Sequence, residues 1–248
     1  MNEISKTHPR YQSLILRKKI SKAHKKGVLA ESGLIAHGRG EAFDYLLGEK
    51  TIPPAINAIQ AAAAQLLLAD HPVISINGNT AALCAEEIVK LSFEVPAPIE
   101  INLFYRTPDR VDKIEKILKK EGAKKVLGSN DQEYVLLNGL SGSRSRVSAE
   151  GIYISDVVLV PLEDGDRAQA LRDNGKVVIT IELNPISRTA KTSSITIVDN
   201  LIRALPLLIK QVQKLKPQER SRLEEMVEKF DNQENLKKSL NFILTNFK

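Results

Sequence analysis

A few short segments concentrate side chains that can handle polyanions. Asn77-Gly78-Asn79-Thr80 and Asn102-Leu103-Phe104-Tyr105-Arg106-Thr107 offer amides, hydroxyls and a guanidinium. Pro161-Leu162-Glu163-Asp164-Gly165-Asp166-Arg167 offers carboxylates and a cation. The stretch from Glu182-Leu183-Asn184 through Ser187-Arg188-Thr189-Ala190-Lys191-Thr192 combines both. Arg188 and Lys191 with Thr189 and Thr192 form a phosphate grip, cations supplying charge and hydroxyls meeting the remaining lone pairs. Glu163, Asp164 and Asp166 could hold Mg²⁺ directly or through water, although Asp166 reads equally well as a helix cap. His37 stands beside Gly38-Arg39-Gly40. Glycines on both sides of Arg39 would let the backbone approach a ligand closely, with a plain turn as the alternative.

Other chemistries are missing. The chain has no G-x-x-x-x-G-K-[ST], no G-x-G-x-x-G after a strand and no G-x-S-x-G, so it lacks the P-loop, the dinucleotide fingerprint and the nucleophile elbow. Its one cysteine, Cys84, allows neither an intrachain disulfide nor a Cys-x-x-Cys site. Among alanines and leucines of a predicted helix, Cys84 reads as a buried, inert thiol. His71 reads as structural, His8 and His24 as surface residues. The net charge of +6 suits nucleic acid or small polyanions such as ATP. With 4% aromatics and no Trp, stacking platforms for a single strand are scarce. Much of the positive charge lies in KKISKAHKK (18–26) and KIEKILKK (113–120), which read as solvated helix faces. No uninterrupted apolar run reaches the roughly 18 residues of a membrane span, and the polar start has no signal-peptide core. A cytoplasmic location is expected.

The elements that must position these groups follow from hydrophobic pattern. A helix is expected from Pro9 to about Lys26, stopped by Gly27, with Arg17 at the boundary of its apolar face. After a Gly-rich segment comes a helix over Pro54–Asp70. Strands at His71–Ile76, Ile99–Phe104, Lys125–Leu127, Val157–Leu162 and Lys176–Leu183 alternate with helices at Thr80–Phe93, Asp109–Gly122 and Asp166–Asn174. Such short Val- and Ile-rich strands are buried on both faces. The expected class is α/β: a Rossmann-like, doubly wound, mostly parallel sheet with N-terminal helices and a helical C-terminal tail. The expected division is an N-terminal helical segment at 1–70, an α/β core at 71–205 and a helical extension at 206–248. In the extension Leu201, Leu205, Leu208, Val212 and Leu215 form one stripe, with a kink expected at Pro206. Leu236, Leu240, Ile243 and Phe247 form another. Because ligands of open α/β sheets sit outside the carboxyl ends of the strands, the polar segments following those strands point to one shared site.

Together and in order, HPRYQSLILR (8–17), GLIAHGRGEAFDYLLGE (33–49), HPVISINGN (71–79), INLFYRT (101–107), GIYISDVVLVPLEDGDRA (151–168) and ELNPISRTAKTSSITIVDN (182–200) resemble the archaeal-type phosphopantothenate synthetases, the 4-phosphopantoate–β-alanine ligases. The resemblance spans about 8–205 and leaves out the tail. It implies a homodimer that uses ATP and Mg²⁺ to join 4-phosphopantoate to β-alanine through an acyl adenylate, releasing AMP and diphosphate. Neither nucleic acid nor membrane is an expected partner. By the family pattern Arg17 and Arg39 meet ATP phosphates. Glu182, Leu183 and Asn184 meet the adenosine, with Arg188 and Thr189 beside them, and Asp199 and Asn200 complete the nucleotide site. Arg39, His37 and Lys191 are the expected catalytic residues, and Asn77, Asn79, Tyr105 and Arg106 the expected contacts to phosphopantoate. The family commonly has Asp at position 182 and Arg at position 191. The alternatives are another ATP-using enzyme, such as a pantoate kinase, or, less favoured, a basic RNA-binding protein.

Overall fold

The computed structural model describes residues 4–246, so Phe247 lies outside the described residues. Three helices come first: α1 (Tyr11–Lys25), α2 (Glu31–Leu46) and α3 (Pro53–Leu68). A strand–helix alternation follows, with β1 (Pro72–Ile76), α4 (Gly78–Glu94), β2 (Ile99–Ile101), α5 (Pro108–Lys120) and β3 (Val126–Leu127). An excursion carries a small antiparallel pair, β4 (Val135–Leu136) with β5 (Arg146–Val147). The alternation resumes with β6 (Val157–Leu159), α6 (Gly165–Asp173), β7 (Val177–Ile181), α7 (Arg188–Thr192) and β8 (Ile195–Ile197). Three helices close the chain: α8 (Leu201–Leu215), α9 (Arg220–Glu228) and α10 (Asn232–Thr245).

The main sheet has six strands in the order β3-β2-β1-β6-β7-β8, every pairing parallel. This is the doubly wound Rossmann-like architecture expected from the alternation. The chain leaves β1 outward to β2 and β3, then returns to the other side of β1 with β6. The order therefore reverses between β1 and β6, which opens a crevice at their carboxyl ends. Every residue of β1, PVISI, is buried, because helices cover both faces.

The structure differs from the sequence expectation in three places. The Gly-rich segment is not a loop: α2 runs unbroken through Gly33, Gly38 and Gly40. Glycine inside a helix costs about 1 kcal/mol relative to alanine, and close packing explains one of these positions. A Cβ at Gly33 would lie 2.5 Å from Leu29 Cδ1 and 2.6 Å from Asn79 Oδ1, so only glycine lets α2 approach the start of α4. A further strand, β8, follows the polar stretch that ends at Thr192. It is three residues long, and its Ile-Thr-Ile alternation is its only mark. The polar segment before β6 holds β4 and β5, likewise too short to stand out. Pro206 lies inside α8.

Alanines 55, 58 and 61–64 of α3 are buried and let this helix pack closely on β8, α8 and α9. The tail stripe is buried through Leu215, and Leu236 and Ile243 join the same apolar core. Cys84 is buried in α4, its thiol pushed up to about 12 by desolvation. Among the described residues no helix is long and apolar enough to cross a membrane.

The excursion after β3 is tied down by charge rather than by apolar contact alone. Glu100, wholly buried in β2, accepts hydrogen bonds from the backbone N–H of Ser148 (3.0 Å) and Ile152 (2.8 Å). Lys176 Nζ donates to the carbonyls of Ser155 (2.7 Å) and Tyr153 (3.0 Å). Glu100→Ala would leave two buried N–H groups without acceptors. The expected loss is on the order of 3 kcal/mol, read as a lower midpoint in thermal unfolding. An unchanged midpoint would contradict the anchoring role.

Candidate active site

The crevice is closed at its base by one side chain. Asn77 Oδ1 accepts from Thr80 N (3.1 Å) and so caps α4. Its Nδ2 donates to the carbonyls of Leu162 (2.9 Å) and Pro161 (3.2 Å), which follow β6. The carboxamide thus bridges the two strands where the order reverses. Leu162 has φ +56°, a left-handed conformation that is strained for a bulky side chain. Asn79 Nδ2 donates to Gly33 O (3.0 Å) and ties α2 to the same point.

Two cavities meet here and share Ala36, Asn79 and Leu162 in their walls. The larger, about 540 Å³, lies between α1, α2 and the start of α8. The smaller, about 300 Å³, lies over the carboxyl ends of β1, β2 and β6.

In the larger cavity His37 presents a buried Nε2 with no hydrogen-bond partner. Burial lowers its pKa, so it is a neutral imidazole at pH 7. Arg17 Nε donates to both Glu41 oxygens (2.7 and 2.9 Å), and Tyr45 O–H donates to the same carboxylate. Burial works against the charge on Glu41, but Arg17 and Tyr45 together hold it below the usual carboxylate range. The far wall is a charge network. Arg203 pairs with Asp44 and with Asp199, its Nε lying 2.9 Å from Asp199 Oδ1. Thr51 donates to Asp199 (2.6 Å) and Asn200 Nδ2 to Asp44 (2.7 Å). Burial raises the Asp199 pKa against the pull of Arg203. Asn200 caps α8, accepting from Ile202 N (3.3 Å). Leu183 reaches this cavity, and a Cβ at Gly40 would be 3.4 Å from its Cδ1.

The smaller cavity gathers Arg39, Asn79, Asn102, Tyr105, Arg110 and Glu163. Glu182 stands near Arg39 and accepts from Asn184 N (2.9 Å); burial raises its pKa while Arg39 pulls it down. The Asn184 carboxamide accepts from Ile186 N (3.0 Å) and fixes the turn after β7.

The expected phosphate grip is only partly assembled. Thr189 Oγ1 donates to Glu163 O (2.8 Å), linking α7 to the end of β6. Arg188 is exposed and paired with Asp166, and exposed Lys191 lines neither cavity. The three carboxylates do not form one cluster with free oxygens. Asp164 caps α6 through Arg167 N (3.0 Å) and pairs with Arg144, whereas Glu163 faces Arg167. Among the described residues no three His, Cys, Asp or Glu side chains converge as a metal cage. Arg106 points away from the crevice. It donates to Gly128 O (2.7 Å) and Ser129 O (3.3 Å) and lines a separate cavity of about 730 Å³. Tyr105 is exposed at the rim of the smaller cavity.

Sequence reasoning passed over Asp44, Arg110 and Arg203. The i, i+4 spacing of Asp199 and Arg203 was the available signal for one of them. Asp44 meets Asn200 and Arg203 across 156 and 159 residues of sequence, whereas Arg110 donates to Tyr105 O only five residues earlier.

The family model for phosphopantothenate/pantothenate synthetase matches residues 54–246. The chain belongs to the phosphopantothenate/pantothenate synthetase family. A protein of Thermococcus onnurineus named 4-phosphopantoate–β-alanine ligase is 51% identical over 233 residues, 94% of this chain and 88% of the relative. A Methanosarcina mazei protein of that name is 48% identical over 248 residues, 100% of this chain and 97% of the relative. One from Methanospirillum hungatei is 52% identical over 202 residues, 82% of each. The synthetase family match reaches residue 246, so the helical tail, outside the motif resemblance, belongs to the family architecture.

Arg203→Met in this synthetase-family chain would leave the buried Asp44 and Asp199 without their cation. The expected loss is about 3–5 kcal/mol, and adding Asp44→Asn should recover part of it. Wild-type thermal stability in Arg203→Met would contradict the network.

Proposed function

We propose that the chain condenses 4-phosphopantoate with β-alanine, using ATP and releasing AMP and diphosphate through an acyl adenylate. The observation that carries this reading is the junction of the two cavities at Asn79 and Leu162. A nucleotide in one chamber and an acid in the other would bring phosphorus and carboxylate together at the crevice. Family membership supports the ligation, since the relatives are named for it, and it does not favour the kinase or the RNA-binding protein.

A free carboxylate is a poor acyl acceptor, and adenylation supplies its leaving group. Both partners of that step are anions, so cations must offset their repulsion. Arg17 and Arg39 are assigned to the triphosphate. Glu182, Leu183 and Asn184 are assigned to the adenosine, flanked by Arg188 and Thr189. Asp199 and Asn200 shape the nucleotide chamber through the buried network. His37, neutral and with a free Nε2, is suited to a hydrogen bond with the reacting phosphate or carboxylate. Asn79 and Tyr105 are assigned to phosphopantoate, Arg106 to its outer end, and Asn77 to holding the crevice in shape. Lys191 retains its assignment only if α7 closes toward the nucleotide. Mg²⁺ would enter on the triphosphate and would neutralise phosphate charge. No enzyme nucleophile is needed, and positioning supplies much of the rate. The functional unit is a homodimer in the cytoplasm.

The direct test is product analysis with ATP, Mg²⁺, 4-phosphopantoate and β-alanine, omitting one at a time. AMP and diphosphate that require both organic substrates support the ligase; ADP would replace it with a kinase. Arg39→Ala should lower turnover by about 100-fold or more with unchanged thermal unfolding. Near-normal turnover would remove Arg39 from the site.

A further inference from the structure

We propose that Glu163 is the base that takes the proton from the β-alanine ammonium in the second half of the reaction. This assignment rests on the ligase reading above. Glu163 lies at the carboxyl end of β6, beside the strand-order reversal, and lines the smaller cavity with Asn79, Asn102 and Arg110. Its side chain is 12% exposed, enough to meet a ligand and too little to be solvated freely.

Three features hold it there. The residue before it, Leu162, is kept at φ +56°, strain that the two bonds from Asn77 to this turn maintain. The Glu163 carbonyl accepts from Thr189 Oγ1, which fixes the backbone on its other side. Arg167 lies wholly buried behind it, Nη2 donating to Ser75 Oγ (3.1 Å). Arg167 Nε is 3.6 Å from Glu163 Oε2, beyond hydrogen-bond reach, and Nε and Nη1 have no partner. The guanidinium therefore steadies the carboxylate by charge and leaves Oε2 free to accept. Oε1 accepts from Asp164 N (3.1 Å).

Of the other charged groups around the carboxylate, the Asp164 carboxylate is the nearest, within side-chain hydrogen-bond reach of Glu163. Asp164 is paired with Arg144, Asp166 with Arg188, and Arg39 and Arg110 line the same cavity. Burial pushes the Glu163 carboxyl up to about 7, Arg167 opposing and Asp164 reinforcing the rise. A base poised near the working pH is the effective kind.

In the step itself Glu163 Oε2 accepts one ammonium proton. The freed nitrogen lone pair forms the C–N bond at the acyl carbon. The C–O bond to AMP breaks with its electron pair going to the AMP phosphate, which also carries away the second nitrogen proton. Arg110, whose Nε is buried without a partner, is placed to receive the amino-acid carboxylate.

The test separates the two half-reactions in Glu163→Gln. Gln keeps an acceptor for Asp164 N but is not a base. Diphosphate exchange into ATP, with 4-phosphopantoate and no amine, should stay within about 3-fold of wild type. Amide formation with β-alanine should fall by about 100-fold or more. Hydroxylamine, neutral at pH 7 and in no need of a base, should react at near the wild-type rate, and Glu163→Asp should recover part of the β-alanine activity. Equal loss with both amines, loss of exchange, or no loss at all would overturn the assignment. If the wild type itself shows no exchange, the ligase reading fails first and takes this assignment with it.

Discussion

The hydrogen bonds from the Asn77 carboxamide to the carbonyls of Pro161 and Leu162 hold together the place where the sheet changes direction. Parallel strands on either side of a reversal have no chain connecting their carboxyl ends, so an open crevice is inherent to this topology. A crevice that can spread loses its geometry. The same carboxamide caps α4, so helix start, strand end and the left-handed turn at Leu162 are fixed as one unit. Asn79 extends that unit to α2. Removing the carboxamide would free several elements together.

Charge burial does the remaining positioning, and it follows one pattern. Glu100, Asp199 and Glu163 are each drawn away from water, which raises their pKa values. The first two are compensated by N–H groups, hydroxyls or a paired arginine and serve as scaffold. Glu163 accepts a single N–H, from Asp164, and faces Arg167 beyond hydrogen-bond reach, so Oε2 is left without a donor from either. That difference in satisfaction separates a structural carboxylate from one available for chemistry, although all three are acids with little exposure.

The main architecture was legible because its signals are redundant. Buried runs such as Pro72–Ile76, proline-opened helices and stop glycines each mark an element more than once. What escaped was short or context-bound. β8 is three residues long, and its neighbours Arg188 to Thr192 looked like a ligand loop. The glycines of α2 signalled a loop by composition, yet Gly33 is dictated by Leu29 and Asn79, which only the tertiary structure brings beside it. In the site, Arg39, His37, Leu183 and Asn79 line the two cavities. Lys191 does not, because α7 turns its side chain to solvent. Asp44 and Arg203 meet across 159 residues of sequence, a pairing with no local trace.

The central claim is that acid and nucleotide react directly at the junction of the two cavities. It is tested by supplying 4-phosphopantoate with ¹⁸O in its carboxylate and examining the AMP formed in a complete reaction. Direct attack on the α-phosphorus predicts one labelled oxygen in AMP and none in diphosphate. Unlabelled AMP would contradict the acyl adenylate, and with it the assignment of the crevice as the place where carboxylate and phosphorus meet.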